Sequence, residues 1–426
     1  MKIADEVLNE LKKENYRNIL KDIYVDETIL DYQISRYQKA ILSFQELYGQ
    51  KEIGIYSAPG RTEVGGNHTD HQHGQVLAAA VNLDMIAIVA KTDDNTIKIQ
   101  SDDFDIAPIM VSYLGKKPEE IGTSEALVRG VAFCLQKMGY KVQGFQAYMT
   151  SDVFMGAGLS SSAAFEVMIG TIISGLFNKE EISPVQIAQA GQFAEREYFG
   201  KPCGLMDQMA SSVGGLVHID FKNTVNPKVE KLNVDFEKYG HSLCIIDTKG
   251  SHEDLTNEYA AIPQEMKKVA SYFHQEFLEE VNESKFYDEL NTIREKTGDR
   301  AILRAIHYFE ECKRVEKEVN AMQEDDFTAF KKWVKESGDS SYKYLQNIYA
   351  NSDIQNQSMS LALFLSEQIL GDKGVCRVHG GGFAGTIQAF VPNDMVIEYK
   401  DKIEKYFGKN SCHILKIRKY GGRKIV

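Results

Sequence analysis

Apolar residues recur at three- and four-residue spacing through the first fifty positions of the chain. Leu8 and Leu11, and later Ile41 and Phe44, lie about one helical turn apart, which predicts helices at the N-terminus. The alternation of apolar and polar residues that is typical of strands begins only at Ile53. We therefore expect a helical extension, residues 1–40, followed by sheet.

Helix-like and strand-like stretches then follow one another along the rest of the chain. Helical periodicity is clearest over residues 124–138, 163–176, 185–199 and 301–335. Short apolar runs that indicate strands cover residues 81–91, 96–100, 145–150, 216–219, 242–247, 375–378 and 386–391. We assign the last four of these runs to a second sheet.

The length of the chain favours more than one domain. A chain of 426 residues exceeds the size at which one hydrophobic core usually stops growing. We place a boundary near Gly214 and Gly215, which gives an N-terminal domain of residues 1–215 and a C-terminal domain of residues 216–426. The mixed pattern within each predicts an α+β protein.

Composition and charge narrow the classes of partner. With 43% hydrophobic residues the chain can form packed cores. Its formal net charge of −12 argues against nucleic acid, which is normally bound by basic patches. A short basic stretch, residues 416–424, is interpreted as a solvated edge strand rather than as such a patch.

Cysteine spacing and the N-terminus indicate the compartment. The six cysteines lie far apart without a CxxC pair, and the first residues lack the apolar core of a signal peptide or membrane span. We therefore expect reduced thiols, a cytoplasmic location and no membrane partner.

A segment rich in glycine and serine, residues 154–164, follows one predicted strand and opens a predicted helix. Gly156 and Gly158 allow the backbone to approach a ligand, and the serines that follow add hydroxyl donors at a helix N-terminus, where anions are favoured. Taken alone, the segment is more simply explained as a glycine turn with a serine cap. The GxxxxGK[ST], HRD and DFG motifs are absent from the sequence, so an ATP site here would use a different loop.

A second polar segment, residues 58–74, carries an arginine, an aspartate, three histidines and four glycines after a predicted strand. Loops of this polar density often bind ligands. The histidines at positions 68, 71 and 73 could suggest a metal site, although no HExxH pattern or cysteine pair supports zinc. A solvated loop is the other simple interpretation.

A third segment and two acidic residues complete the candidate chemistry. Residues 377–386 place four glycines beside a predicted strand, which alone would indicate only a bulge or a tight bend. Glu195 lies in a predicted helix, and Asp207 follows a local break at Gly204. Carboxylates are ligands that Mg²⁺ prefers, but each acid taken singly is more simply a surface group.

Together and in this order, the three segments resemble the signature motifs of the GHMP kinases, most closely those of the galactokinase branch. Residues 61–70 resemble its sugar-recognition signature, residues 156–164 its phosphate loop and residues 380–385 its third motif. The similarity extends from about Phe44 to the C-terminus. It implies a two-domain α+β fold, with an N-terminal domain like domain 2 of ribosomal protein S5, a C-terminal ferredoxin-like α/β sandwich and the active site between them.

The resemblance also implies roles on the sugar side of the site. Asp207 would act on the anomeric hydroxyl as general base or electrostatic orienter, and Arg61 would steady the developing charge. The residues implied to bind the sugar are Asn67, His68, Thr69, Asp70 and Tyr259.

On the nucleotide side, the resemblance implies binding of ATP and Mg²⁺. Ser162 and Glu195 would hold the metal, and Ser101 would lie near the nucleotide. The residues implied to hold the phosphates are Gly156, Ala157, Gly158, Leu159, Ser160, Ser161 and Ser162.

The chain departs from the family pattern at several positions. Most galactokinases carry Glu where this chain has Asn67, a position expected to contact the far end of the sugar. A neutral amide would repel a C6 carboxylate less, and the His71-Gln72 pair resembles the uronate branch, so galacturonate becomes an alternative substrate. In the third motif His379 and Ala384 replace the usual Thr and Gly.

The expected reaction is transfer of phosphate from MgATP to galactose, giving α-D-galactose 1-phosphate and ADP. A 1-kinase for a related sugar such as galacturonate, and a non-catalytic regulator that binds galactose and ATP, are the alternatives. The presence of Arg61 and Asp207 argues against the regulator. The oligomeric state stays open, with a monomer among the options.

Overall fold

The structure, a computed structural model, describes residues 1–13, 15–102, 105–154, 158–250, 255–351, 353–383 and 385–426. Its strands are β1 (Lys2–Ile3), β2 (Glu52–Gly65), β3 (Gln75–Lys91), β4 (Thr96–Ser101), β5 (Asp105–Met110), β6 (Phe145–Ser151), β7 (Leu216–Asp220), β8 (Lys228–Leu232), β9 (His241–Asp247), β10 (Val375–His379), β11 (Thr386–Pro392), β12 (Cys412–Leu415) and β13 (Arg423–Lys424). Its α-helices are α1 (Ala4–Lys12), α2 (Arg17–Tyr24), α3 (Leu30–Tyr48), α4 (Ser124–Lys137), α5 (Ser161–Phe177), α6 (Pro184–Phe193), α7 (Met206–Val213), α8 (Thr256–Tyr272), α9 (Glu283–Asp288), α10 (Leu290–Thr297), α11 (Asp299–Gln323), α12 (Phe327–Ser340), α13 (Ser358–Leu370) and α14 (Val396–Phe407).

The predicted N-terminal helices are confirmed as α1 to α3, which cover one face of the larger sheet. Ile41 and Phe44 of α3 pack in one buried cluster with Ile86 and Ile88 of β3. Polar bonds add to this packing, because Arg36 of α3 donates to the buried carboxylate of Asp84 in β3 at 2.7 Å. The extension is therefore part of the core of the larger sheet.

The larger sheet is organised around the long hairpin of β2 and β3. β3 pairs with β6 along residues 85–91 and with β7 along residues 75–79, so the hairpin bends from one part of the sheet into another. The other face of this sheet packs against α4, α5 and α6. The bend places the turn between β2 and β3, which carries the polar segment, beside the C-terminal elements.

The smaller sheet has the order β10-β11-β9-β12 and is antiparallel throughout. Helices α13 and α14 pack on it around a buried apolar cluster that includes Tyr399 and Ile403. Three of the four runs that we assigned to a second sheet form its strands β9, β10 and β11. The fourth, residues 216–219, was wrongly assigned, because β7 pairs with β3 in the larger sheet.

The boundary near residue 215 does not coincide with a change of sheet. β7 and β8 follow it and still belong to the larger sheet, and β13 returns from the C-terminus to pair with β2. The division at this position stays a prediction.

The basic stretch at residues 416–424 ends in a short edge strand, β13, as predicted, but the prediction that it is solvated is wrong at Arg418. Arg418 is fully buried, and its guanidinium lies 3.1 Å from the carboxylate of Asp84. The stretch therefore ties the C-terminus to β3. No helix within the described ranges is long and apolar enough to cross a membrane.

Candidate active site

An ion pair between Arg61 of β2 and Asp207 of α7 lies where the motif segments meet. Arg61 Nε donates to Asp207 Oδ1 at 2.6 Å and Nη2 donates to Oδ2 at 2.8 Å, which is the two-pronged geometry of a strong guanidinium–carboxylate pair. The Arg61 side chain is only 7% exposed, whereas that of Asp207 is 33% exposed. The arginine is thus fixed inside the protein, and the carboxylate is partly exposed to solvent.

The end of the phosphate loop closes around this pair. The Arg61 guanidinium donates to the carbonyl of Gly158, its backbone N–H donates to the carbonyl of Leu159 at 3.1 Å, and the Ser160 hydroxyl donates to Asp207. Gly156 and Ala157 lie outside the described residues. The sugar-recognition strand, the phosphate loop and α7 therefore share one hydrogen-bonded centre.

The charge state of Asp207 follows from these contacts. Burial raises the pKa of Asp207, but the charge of Arg61 and the hydrogen bonds from Arg61 and Ser160 outweigh it and hold the pKa below its usual range. Asp207 is ionised at neutral pH.

Backbone geometry places the start of α5 directly after the phosphate loop. Ser160 adopts a left-handed φ of 53° and α5 begins at Ser161, so the loop leads into a helix N-terminus, where anions are favoured. Gly158 has a φ of 68°, and a Cβ there would meet Thr386 Oγ1 at 2.5 Å and His379 Nδ1 at 2.9 Å. Glycine is required because the third motif packs directly on the phosphate loop.

His379 connects the third motif to β2. Its Nε2 accepts from the backbone N–H of Glu63 at 3.3 Å, so Nδ1 carries the proton and donates to Thr386 Oγ1 at 2.8 Å. Burial, aided by the charges of Arg61 and Arg377, lowers the pKa of His379 well below its usual range, which keeps the ring neutral. Ala384 lies outside the described residues.

The two residues implied to hold the metal lie together. Ser162 Oγ is 3.3 Å from Glu195 Oε1, and the other carboxylate oxygen accepts from Gln208 Nε2 at 2.8 Å. Lys201 Nζ also lies 3.0 Å from Oε1. Glu195 sits in a π-helical turn, Ala194–Phe199, that extends α6, and such turns recur at functional sites.

Asn67 lies inside the protein rather than in the cleft. Its side-chain amide donates to Glu63 at 2.9 Å and to the carbonyl of Gly380 at 2.8 Å, and it accepts from Asn347 at 2.8 Å. Thr69 is buried as well, with its hydroxyl 2.6 Å from the carbonyl of Gln75. Both residues hold the shape of the sugar segment here, and direct contact with a sugar stays a prediction for them.

His68 and His71 form a chain of neutral rings. Gln72 Oε1 accepts from the backbone of Leu278 at 3.2 Å, so its amide N–H groups face His71. His71 Nε2 lies 3.3 Å from His68 Nδ1, and His68 Nε2 donates to the carbonyl of Gly381 at 3.0 Å. Burial lowers the pKa of His68 to about 4, which matches this arrangement.

Asp70 lies close to Asp207 and feels its charge. Burial, and then repulsion from Asp207, raise the pKa of Asp70 to about 6. Its carboxylate accepts from the backbone of His71 at 2.8 Å and approaches Gly204 so closely that a Cβ there would lie 1.5 Å from Oδ2. The two acids are therefore coupled electrostatically.

The structure places Tyr259 against the third motif and Ser101 at the end of a strand. The Tyr259 hydroxyl donates to the carbonyl of Gly382 at 2.8 Å, so α8 touches the third motif. Burial raises the pKa of Tyr259 to about 12. Ser101 is the last residue of β4, opposite Met149 of β6.

A buried charged network on α11, which the sequence did not reveal, supports the sugar segment from behind. Glu311 accepts the backbone N–H groups of Gly66 at 3.1 Å and Asn67 at 3.4 Å, and His307 donates to the Asn67 carbonyl at 2.9 Å. Burial opposes the charge of Glu311, but Arg314 and its other partners lower its pKa to about 2. Nearby, Glu63 pairs with Arg377 at 2.8 Å.

The three histidines of the segment do not form a metal site. Among the described residues, no group of three or more His, Cys, Asp and Glu side chains could hold a metal ion. His73 instead stacks on Phe277, with ring centroids 3.7 Å apart.

Two family models match the chain, each over a range that contains one of the motif segments. The galactokinase galactose-binding signature matches residues 42–91, and the GHMP kinases N-terminal domain matches residues 126–215. The first range includes Arg61 and Asp70, and the second includes Glu195 and Asp207.

Curated relatives match most of the chain. The galactokinase of Actinobacillus pleuropneumoniae serotype 3 is 30% identical over 390 residues, which cover 88% of this chain and 96% of the relative. The galactokinase of Streptomyces coelicolor is 29% identical over 345 residues, covering 80% and 86%.

Solved structures share the architecture. Lactococcus lactis galactokinase complexed with galactose has a TM-score of 0.76 at 21% identity, covering 89% of this chain and 97% of that one. A mevalonate kinase has a TM-score of 0.60 at 16% identity, covering 85% and 99%. The predicted α+β GHMP kinase fold is confirmed.

Proposed function

The chain belongs to the galactokinase family of GHMP kinases and is a sugar kinase, and we propose that it converts galactose and MgATP to α-D-galactose 1-phosphate and ADP. The observation that supports this proposal most strongly is the two-pronged Arg61–Asp207 pair beside the start of α5. It puts a carboxylate for the sugar hydroxyl and a cation for the transferred phosphate within one site.

Asp207 orients the anomeric hydroxyl in this proposal. A carboxylate whose pKa is held below its usual range is a weak base but a good hydrogen-bond acceptor. Phosphoryl transfer through a loose transition state needs positioning more than early proton removal. We therefore assign Asp207 to hold the nucleophile in line and to accept its proton as the new bond forms.

Arg61 supplies positive charge beside the transferred group. Its guanidinium is fixed by Asp207 and by the carbonyl of Gly158, so it needs no reorganisation when negative charge develops. α5 begins directly after Ser160, whose hydroxyl donates to Asp207, so the start of this helix lies beside the ion pair. Its first backbone N–H groups would bind the phosphates.

Ser162 and Glu195 fit a magnesium ion. Both offer oxygen atoms, 3.3 Å apart, and Mg²⁺ in nucleotide sites usually takes one or two protein ligands and completes its shell with phosphate oxygens and water. When bound, the ion would neutralise charge on the phosphates. Ser162 and Glu195 would hold it against the start of α5.

On the sugar side, Asp70, His68 and Tyr259 are the side chains that we assign to the hydroxyls. The buried position of Asn67 removes the main argument for galacturonate, because its amide bonds to Glu63 and Gly380 inside the protein. A substrate carboxylate would also add negative charge near Asp70, whose pKa is already raised to about 6 by burial and then by the charge of Asp207. A neutral hexose suits this site better.

We place the reaction in the cytosol, the compartment of the ATP pool. All six cysteines of the chain are free thiols, which suits a reducing environment.

A substrate panel with a single-residue variant tests the proposal. ADP formation is measured with galactose, galacturonate and glucose for the wild type, for Asp207→Asn and for Asp299→Asn, a control at an exposed ion pair. We expect turnover with galactose, a loss on the order of 10²–10³-fold in Asp207→Asn, and no change in Asp299→Asn. Preference for galacturonate, or an active Asp207→Asn, would overturn the proposal.

A further inference from the structure

Lys201 follows the π-helical turn that carries Glu195, and the backbone fixes its place. The N–H groups of Gly200 and Lys201 both donate to the carbonyl of Glu195 at 3.0 Å, and Gly200 adopts a φ of 88°. A left-handed glycine at this point reverses the chain over the last turn of the helix. Lys201 therefore begins directly beside Glu195, six residues after it in the sequence.

The ammonium group of Lys201 contacts the carboxylate oxygen of Glu195 that lies beside Ser162. Lys201 Nζ lies 3.0 Å from Glu195 Oε1, the same oxygen that lies 3.3 Å from Ser162 Oγ. The opposite oxygen of Glu195 is taken by Gln208. A cation from the protein thus binds the very oxygen atom that we assign to the metal.

The two partners of this ion pair differ in their freedom. The side chain of Glu195 is 4% exposed, whereas that of Lys201 is 59% exposed. Gln208 bridges Glu195 to Glu166 of α5, at 2.8 Å and 2.9 Å, which fixes the acid further. The lysine has a flexible stem and three donors, so it can leave Glu195 and bind elsewhere without disturbing the helix.

We propose that Lys201 is a second phosphate-binding cation of the cleft, which neutralises Glu195 in the metal-free protein and binds the ATP phosphates once a divalent cation takes its place. This inference rests on the proposed kinase function. Arg61 is committed to Asp207 and cannot serve Glu195, so the second acid has its own cation.

The proposal predicts that Lys201 matters most when the metal is absent. Without Lys201 and without Mg²⁺, the charge of Glu195 repels the triphosphate, so ATP affinity falls sharply. With Mg²⁺ bound, Glu195 is neutralised and only the contact between lysine and phosphate is lost. A purely structural lysine would affect both conditions equally.

Calorimetric titration with ATP, in EDTA and in excess MgCl₂, tests this for the wild type, Lys201→Met and Lys201→Arg. We expect the dissociation constant of Lys201→Met to rise about tenfold or more in EDTA and about threefold in Mg²⁺, with Lys201→Arg close to the wild type. Lys313→Met, which removes another partly exposed lysine paired with glutamate, should change neither value.

A double variant makes the test independent of folding defects. In Glu195→Gln/Lys201→Met the repelling charge is gone, so affinity for ATP in EDTA should recover to within about threefold of the wild type. Equal losses in both conditions, or no recovery in the double variant, would overturn the role of Lys201. A wild type that binds no ATP and forms no product from galactose would instead overturn the proposed function.

Discussion

The sugar half of the cleft and its phosphate half differ in how completely the protein already satisfies their polar groups. In the sugar half, residues 61–70, the backbone is held by the buried side chains of Glu311 and His307 of α11, and Asn67 is fully bonded within the protein. In the phosphate half, residues 158–162 with Glu195, an exposed lysine is the partner of the acid that we propose to bind the metal. The polar groups of the sugar half are thus bonded within the protein before any ligand binds, whereas those of the phosphate half would obtain partners from the ligands.

This difference follows the chemistry of the two substrates. A neutral sugar brings no charge, so the protein must supply a rigid set of hydrogen-bonding groups to recognise it. ATP brings charge and a metal, so the protein can leave that half open and exchange one cation for another. The comparison predicts that variants in the sugar half lower the free energy of unfolding, whereas variants in the phosphate half weaken the binding of Mg²⁺.

Removing the buried acid behind the sugar segment should have the largest effect. Glu311→Ala leaves Arg314 without its partner and frees the N–H groups of Gly66 and Asn67, so we expect a loss of about 3–5 kcal/mol in the free energy of unfolding. Glu195→Ala is the matched variant, and we expect about 1 kcal/mol because its ion pair is partly exposed. Urea denaturation measures both, and equal losses would break the comparison.

A smaller effect is expected from pH through Asp70. Its pKa of about 6 means that the carboxylate is protonated below pH 6, so the KM for galactose should rise as the pH falls through that value. Asp70→Asn should weaken galactose binding at all pH values and remove this dependence. A KM that stays constant between pH 5 and 7 in the wild type would exclude Asp70 from sugar binding.

The same residue gives a stability prediction with a definite sign. A carboxyl pKa raised from 3.8 to about 6 by folding contributes stability below pH 4, and that contribution is lost as the pH rises through 6. Asp70→Asn should therefore be more stable than the wild type at pH 7 by about 1–2 kcal/mol, after allowance for solvent screening. Thermal unfolding at pH 4 and pH 7 should show the gain only at pH 7.

The smallest effect is expected from the hydroxyl of Ser162. Ser162→Ala removes one of two proposed metal ligands, so the Mg²⁺ concentration for half-maximal activity should rise about fivefold while the affinity for galactose stays unchanged. Mg²⁺ titration of the initial rate, with galactose calorimetry as control, measures this. A change in galactose affinity of similar size would show that the two halves are coupled.

Local sequence pattern was sufficient for much of the fold, and the family resemblance indicated the two residues that form the ion pair at the centre of the site. The N-terminal helices and the strands around residues 81–91 and 145–150 follow from apolar spacing, because one face of each is buried. Arg61 and Asp207 were indicated by the motifs that carry them. Residues 216–219 were assigned to the wrong sheet because a short apolar run does not indicate which strand it pairs with.

The residues of α11 that support the site could not be predicted either, because a local pattern does not indicate which distant segment a side chain will contact. His307, Glu311 and Arg314 recur at helical spacing, a pattern that usually indicates a solvated face, and only the tertiary structure shows that they are buried behind Gly66 and Asn67. The inward position of Asn67 likewise depends on neighbours that are distant in the sequence, and the pairing of Lys201 with Glu195 depends on the backbone turn at Gly200.

The claim that the sugar half is built in advance is tested most directly by two calorimetric titrations of galactose into the protein, one in EDTA without nucleotide and one in excess MgCl₂ with a saturating non-hydrolysable ATP analogue. The account predicts that galactose binds in both conditions, with dissociation constants within about threefold, or roughly 0.6 kcal/mol, of each other. Binding of galactose only in the presence of the nucleotide would contradict it.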